Sequence, residues 1–206
     1  RIALGLVGMM GTQPSRIVGG FMLAAAFLSM WVSNTATALM MLPIALSVTS
    51  LLEAQAQSSE DKEHAATFTL VLLLAVAYSA TIGGLGTLIG TPPNALLAAF
   101  LSQTYDVRIG FGEWMLIGVP VVIVGVPLAW FLMTRVIFRL KGMEIAGAAE
   151  AIARERGKLG PLSVSETKVA AIFALTALGW VTQPFLAEYL PFISDAGIAL
   201  LGGLLL

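Results

Sequence analysis

The sequence predicts an all-α integral membrane protein built around a re-entrant helical hairpin and a broken transmembrane helix. Three observations lead there. Hydrophobic residues fill 58% of the 206 positions and charged residues only 11%, against roughly a quarter charged in an ordinary soluble domain; mean hydropathy is +0.91. The charges are gathered so that 17–52, 65–105, 114–134, 169–187 and 196–206 carry none, and a charge at the centre of a membrane helix costs about 2.5–3.5 kcal/mol. The first two of those intervals are too long for one span and too short for two with a turn, and both carry polar, helix-breaking residues near their middles. Because the chain begins at Arg1 and stops inside an apolar run, it reads as a fragment of a longer protein.

Residues 1–15 read as a cytoplasmic or interfacial connecting segment, and 16–52 as a hairpin. As one helix the 36 uncharged residues of 17–52 would be about 54 Å long, whereas a bilayer core of about 30 Å takes about 20 residues. At their midpoint stand Ser33, Asn34 and Thr35, all favoured N-cap types, so Asn34 and Thr35 are expected to end one arm and start the other. The polar stretch 53–64 reads as a solvated cytoplasmic loop, with His64 flanking the next helix. Residues 65–105 would make a helix of about 62 Å; they should instead break at Gly83, Gly84, Gly86 and Gly90, with Thr91 as the N-cap of a new helix and Pro92 in its first turn. Residues 106–138 hold a simple transmembrane helix, 139–167 a cytoplasmic linker helix with an apolar stripe of Ile145, Ala148, Ala149 and Ile152, and 168–206 two further transmembrane helices, the second truncated. Pro43, Pro120, Pro127 and Pro184 read as kinks or helix-end features, and Trp31, Trp114, Trp130 and Trp180 as packing or interface anchors.

Orientation follows from the basic residues. Seven of the eleven lie between Arg135 and Lys168, which places that stretch in the cytoplasm. If 17–52 is a hairpin entering and leaving on the cytoplasmic side, ten of the eleven are cytoplasmic and Arg108 alone is outside. A full crossing would move Arg16 outside, so the hairpin is preferred.

Non-helical backbone at membrane depth is tolerated only where protein or a watery cavity covers it, so the two breaks are the candidate sites. Helices starting at Asn34–Thr35 and after Thr91 would both aim N-terminal N–H groups and partial positive charge at the break, which suits an anion. No Lys or Arg lies in either break. Ser29 and Ser33, spaced i and i+4, with Asn34 and the unwound carbonyls of 86–90, supply hard oxygen atoms instead. Such oxygens hold sodium in broken transporter helices, and a bound cation would provide the missing positive charge. Coupling between anion and sodium then follows from electrostatics. Packing readings stay open: the serines could bond back to their own helix, and Gly86 with Gly90 forms a GxxxG packing surface.

Other classes fit poorly. With no Cys and one His, a disulfide framework, thiolate chemistry and a zinc site are excluded or disfavoured. Gly84, Gly86 and Gly90 mimic a dinucleotide turn, but no strand precedes them and no acidic residue follows at the right distance. A net charge of −1 argues against a nucleic-acid partner. No membrane-depth hydroxyl has a neighbouring base, so an intramembrane enzyme is not expected. A structural or assembly subunit, with both breaks as packing devices, remains a separate class.

The run from Ser29 to Pro43 (SMWVSNTATALMMLP), together with 83–94 (GGLGTLIGTPPN), resembles the divalent-anion/sodium symporter family, carriers of citrate, succinate and related dicarboxylates. The resemblance covers most of the chain. It implies a homodimer in a multi-pass cell-membrane location, with an elevator-type movement of a transport domain against a scaffold, and inverted repeats of which this chain holds the first and the start of the second. It places sodium at Ser29, Ser33, Asn34 and Gly90, and the carboxylate substrate at Asn34, Thr35 and Pro92, with Thr91 close by. No cofactor beyond the coupling sodium ion is implied. The reading is therefore uptake of di- or tricarboxylates coupled to sodium entry; a carrier of another oxyanion such as sulfate, or a carboxylate exchanger without net sodium coupling, is the alternative.

Overall fold

A computed structural model describes residues 13–55, 58–138, 160–189 and 193–206, with the isolated positions 5, 140 and 157. The described residues form helices with no strand: α1 Pro14–Ser29, α2 Asn34–Gln55, α3 Ser59–Gly84, α4 Pro92–Tyr105, α5 Phe111–Phe131 running into a π-helical turn at Leu132–Ile137, α6 Val164–Tyr189 and α7 Asp195–Leu205. Asn34–Ala54, Ser59–Gly84, Phe111–Ile137 and Val164–Gln183 are long and apolar enough to cross a membrane. Most of the 1–15 and 139–167 segments, including the stripe from Ile145 to Ile152, lie outside the described residues.

α1 is the centre of the bundle. It is apolar on nearly every side, and Ile17, Val18, Phe21, Met22, Ala24 and Ala25 are fully buried, the behaviour of a helix that has no polar face to present. Its small residues let α3 come close: a Cβ on Gly83 would collide with the backbone of Ala26, so glycine is required where the two backbones meet. α1 and α3 rise together toward the break. α2 runs the opposite way, with Asn34 beside Gly84 at one end and Leu42 and Ala45 beside Leu73 and Val76 further along. The two arms therefore fold back on each other around a four-residue tip at 30–33.

α5 descends along the same core. Gly118 sits against the carbonyls of Leu85 and Gly86, and the Trp130 indole donates to Ser15 O at 2.7 Å, next to the start of α1. Val126 and Met133 join residues of α1, α2 and α3 in one hydrophobic core, to which α6 and α7 give no residue among those described. α6 and α7 form their own antiparallel pair, with Gly202 against Thr176 and the Trp180 indole donating to Asp195 O at 2.9 Å. Leu116, Ile117, Ile123 and Val124 on α5 are exposed.

Local sequence explains where helices begin, and in two places it moves an expected boundary. Ser58 and Asp61 form a reciprocal capping box, Asp61 N donating to Ser58 Oγ and Ser58 N to Asp61 Oδ2, both at 3.0 Å. α3 thus starts at Ser59 and α2 continues to Gln55, so most of 53–64 is helical and not loop; His64 lies inside α3, exposed. Ser163 and Glu166 do the same for α6, which begins at Val164, ahead of the expected 168.

Candidate functional site

The tip of the hairpin and the break of the long helix meet. α1 ends at Ser29, and the chain turns through 30–33 with Trp31 N and Val32 N both donating to Leu28 O. α2 then starts at Asn34, but the cap is Ser33: its hydroxyl accepts Ala36 N at 3.3 Å and its carbonyl accepts Thr37 N at 2.9 Å. The expectation that Asn34 and Thr35 cap the second arm is corrected by one position. Ser, Asn and Thr are near-equal as caps, and tertiary contacts choose among them. The freed Asn34 side chain turns inward, where Ser29 Oγ donates to its Oδ1 at 2.6 Å. Ser29 and Ser33 are not neighbours on one helix, as their spacing suggested, because the helix ends between them.

On the other side, α3 stops at Gly84 and α4 starts at Pro92. Thr91 is extended at the N-cap, as expected, yet its side chain makes no capping bond. Pro92 and Pro93 have no N–H, so α4 brings a dipole with fewer free donors than α2 does. Asn94, buried in the first turn of α4, donates from Nδ2 to Gly84 O and to Thr87 O, both at 2.8 Å. The Thr87 hydroxyl donates to Met30 O across the gap, and the Trp114 indole donates to Leu85 O at 2.9 Å. The unwound backbone is thus held by α1, α4 and α5 together. Its carbonyls keep acceptor capacity, since each has two lone pairs.

Gly84 is the common point. A Cβ there would strike the Asn34 side chain, and a Cβ on Gly90 would strike the Gly84 carbonyl. The first turns of α2 and α4 therefore converge on one residue. Of the residues singled out from sequence, Ser29 and Gly90 are buried and Asn34 half-buried in this cluster, Thr91 is half-buried beside it, and Ser33, Thr35 and Pro92 are exposed on its rim. Thr87, Asn94 and Trp114 were missed as site residues. Asn94 carried a signal, a polar residue close behind two prolines in GTPPN; Thr87 and Trp114 carried none, because their partners are 57 and 29 positions away. Trp31 does pack as anticipated, against Phe111 at 6.2 Å and edge-on to Phe173 at 5.1 Å.

A helical chain in which a hairpin tip and a broken helix bring two N-terminal turns to one glycine, without a cationic side chain in either break, has the arrangement found in broken-helix membrane proteins. Comparison gives the family. The family model described as "Citrate transporter" (CitMHS) matches residues 1–206, and the chain belongs to that family, in agreement with the sodium-symporter resemblance of its motifs. It is 37% identical over 195 residues to the protein named sodium-dependent dicarboxylate transporter SdcS of Staphylococcus saprophyticus, covering 95% of this chain and 38% of the relative. It is 36% identical over 209 residues to the protein of the same name from Staphylococcus aureus, covering 100% of this chain and 40% of the relative. The chain thus spans about two-fifths of the length of these curated relatives. The family is one of multi-pass membrane transporters and not of enzymes.

Proposed function

We propose that this chain is the first-repeat core of a sodium-coupled transporter of di- and tricarboxylates. The single observation that carries the reading is the convergence of Asn34 and Asn94 on Gly84, which brings two helix starts and a set of neutral oxygens to one place. Each helix N-terminus contributes about half a positive charge, so two supply about one, whereas a dicarboxylate brings two negative charges. A sodium ion held by Ser29, Asn34 and Gly90, with Ser33 at the rim, offsets the difference. The carboxylate lies against Asn34, Thr35, Thr91 and Pro92, and the exposed Thr35 and Pro92 mark the face it approaches from. The family description names citrate and the relatives' names dicarboxylate, so both belong in the test.

The elevator movement and the homodimer are part of the same proposal. The elevator part draws on the single core shared by α1, α2, α3 and α5, which the α6–α7 pair meets at the aromatic contacts Trp31–Phe173 and Phe111–Trp180; the homodimer is what the family resemblance implies. Uptake of labelled succinate and citrate by the full-length protein in vesicles, with sodium or with choline outside, tests the reading. Uptake should depend on sodium. Equal uptake in choline would reject sodium coupling in favour of exchange, and uptake of sulfate alone would reject the carboxylate assignment.

A further inference from the structure

We propose that the Thr37 hydroxyl is a further oxygen ligand of the sodium ion at the hairpin tip, a position that the Ser29, Ser33, Asn34 and Gly90 set leaves out. Buried hydroxyls ordinarily find a partner. Among the described residues six are buried, and five donate: Ser29 to Asn34, Thr49 to Leu46 O, Ser79 to Ala75 O, Thr87 to Met30 O and Thr134 to Trp130 O. Thr37, at 0% exposure, makes no bond at all from Oγ1. The usual escape for a helical threonine is the carbonyl four residues back, which Thr69, Thr81, Thr176 and Thr182 all take. For Thr37 that carbonyl is Ser33 O, which accepts only its backbone N–H.

Position gives the orphan its meaning. Thr37 follows Asn34 by three residues and Ser33 by four, so it lies on the same face of α2, one turn further in. That face continues through the buried Met41, Ala45 and Val48, along the seam with α3 whose tip end is the Asn34–Gly84 contact. Thr35, two residues away, points about 200° around the helix from Thr37, toward the exposed rim. Thr35 on the substrate side and Thr37 on the ion side thereby lie across the same helical turn, with Asn34 between them serving both. A valine of the same shape would fill a purely apolar seam without leaving a polar atom unpaired. The oxygens in reach are neutral, and no group of His, Cys, Asp or Glu among the described residues could hold a metal, so the chemistry suits a monovalent hard cation rather than a divalent one.

The inference rests on the sodium coupling proposed above, and the experiment separates the two. Sodium titrations of succinate uptake are measured for the full-length wild type, Thr37→Val, Thr37→Ala and Thr37→Ser. Loss of one neutral ligand should raise the half-saturating sodium concentration about three- to tenfold in the Val and Ala variants. Thr37→Ser should stay near wild type, and the KM for succinate at saturating sodium should change less than twofold. Melting of the purified proteins gives a second readout: in choline Thr37→Val should be at least as stable as wild type, because it removes an unpaired group, while the stabilisation by sodium should shrink. Wild-type and Ala sodium curves that superimpose would overturn the inference, as would an equal loss of melting temperature in choline and sodium. A wild type indifferent to sodium would remove the transport proposal itself, before any variant is compared. Should Thr37→Val fail to insert, the Ala and Ser curves decide.

Discussion

Asn34 shows how a residue type can be read correctly and its job wrongly. Capping preference marks it as a helix start, and a helix does start there, but Ser33 makes the cap and Asn34 accepts a bond from Ser29. Removing it leaves a buried Ser29 hydroxyl without an acceptor, a loss of about 1–3 kcal/mol, and deletes an oxygen assigned to both sodium and substrate. Asn34→Ala in the full-length protein should insert normally and lose at least tenfold in succinate uptake per folded molecule; unchanged turnover with reduced folding would instead support a packing role. Gly84→Ala is the complementary test, since its Cβ would enter the space of the Asn34 side chain. Overpacking of this kind costs about 1–3 kcal/mol, so a lowered melting temperature and a higher sodium requirement should appear together. The residue types that carry the site were legible, because Ser, Asn, Thr and Gly are conspicuous in an apolar chain. Which atom bonds which was not, since that depends on contacts between distant segments.

Among the elements, breaks were easier to foresee than ends. The arithmetic of bilayer thickness against uncharged length requires a break in 17–52 and another in 65–105, and the helices do stop at Ser29 and Gly84. The extent of the 53–64 loop was misjudged because polarity was taken for irregular structure, whereas Ser58 and Asp61 cap a helix from within that stretch. Which carbonyls are held, and by which side chains, was not legible, although Asn94 stood out by its place behind two prolines. Asn94 ties the start of α4 to the Gly84 and Thr87 carbonyls, and Trp114 ties α5 to Leu85. Asn94→Ala should therefore destabilise more than Trp114→Phe. The first frees two carbonyls and leaves a void, the second frees one, at about 1 kcal/mol per net hydrogen bond. Thermal unfolding of the detergent-solubilised full-length protein measures the order, and a reversed order would mean that α5, not α4, fixes the break.

For the whole molecule the decisive question is on which side of the membrane each end of the hairpin lies. In the structure α1 runs with α3, through Ala26 and Gly83, and α2 runs against it, through Asn34 at Gly84 and Ala45 near Leu73. The start of α1 and the end of α2 therefore lie at the same end of the bundle, the end where Trp130 bonds Ser15. Charge leads independently to the same arrangement, since a hairpin keeps ten of eleven basic residues on one side. The absence of cysteine makes a direct measurement simple if the rest of the full-length chain is likewise cysteine-free or made so. Single cysteines replacing Gln13 and Glu53 should react with a membrane-impermeant thiol reagent only from the cytoplasmic side, and one replacing Asp106, beyond the end of α4, only from outside. If Gln13 and Glu53 label from opposite sides, the segment crosses fully, the tip is no longer a re-entrant loop, and the ion and anion assigned to it would have to be bound in some other way. Labelling of all three from one side would instead place the break of α3 and α4 outside any single crossing. Only same-side labelling of the first two, with the third opposite, leaves both helix starts facing one cavity, which is the arrangement that the proposed anion site, with no arginine or lysine in either break, requires.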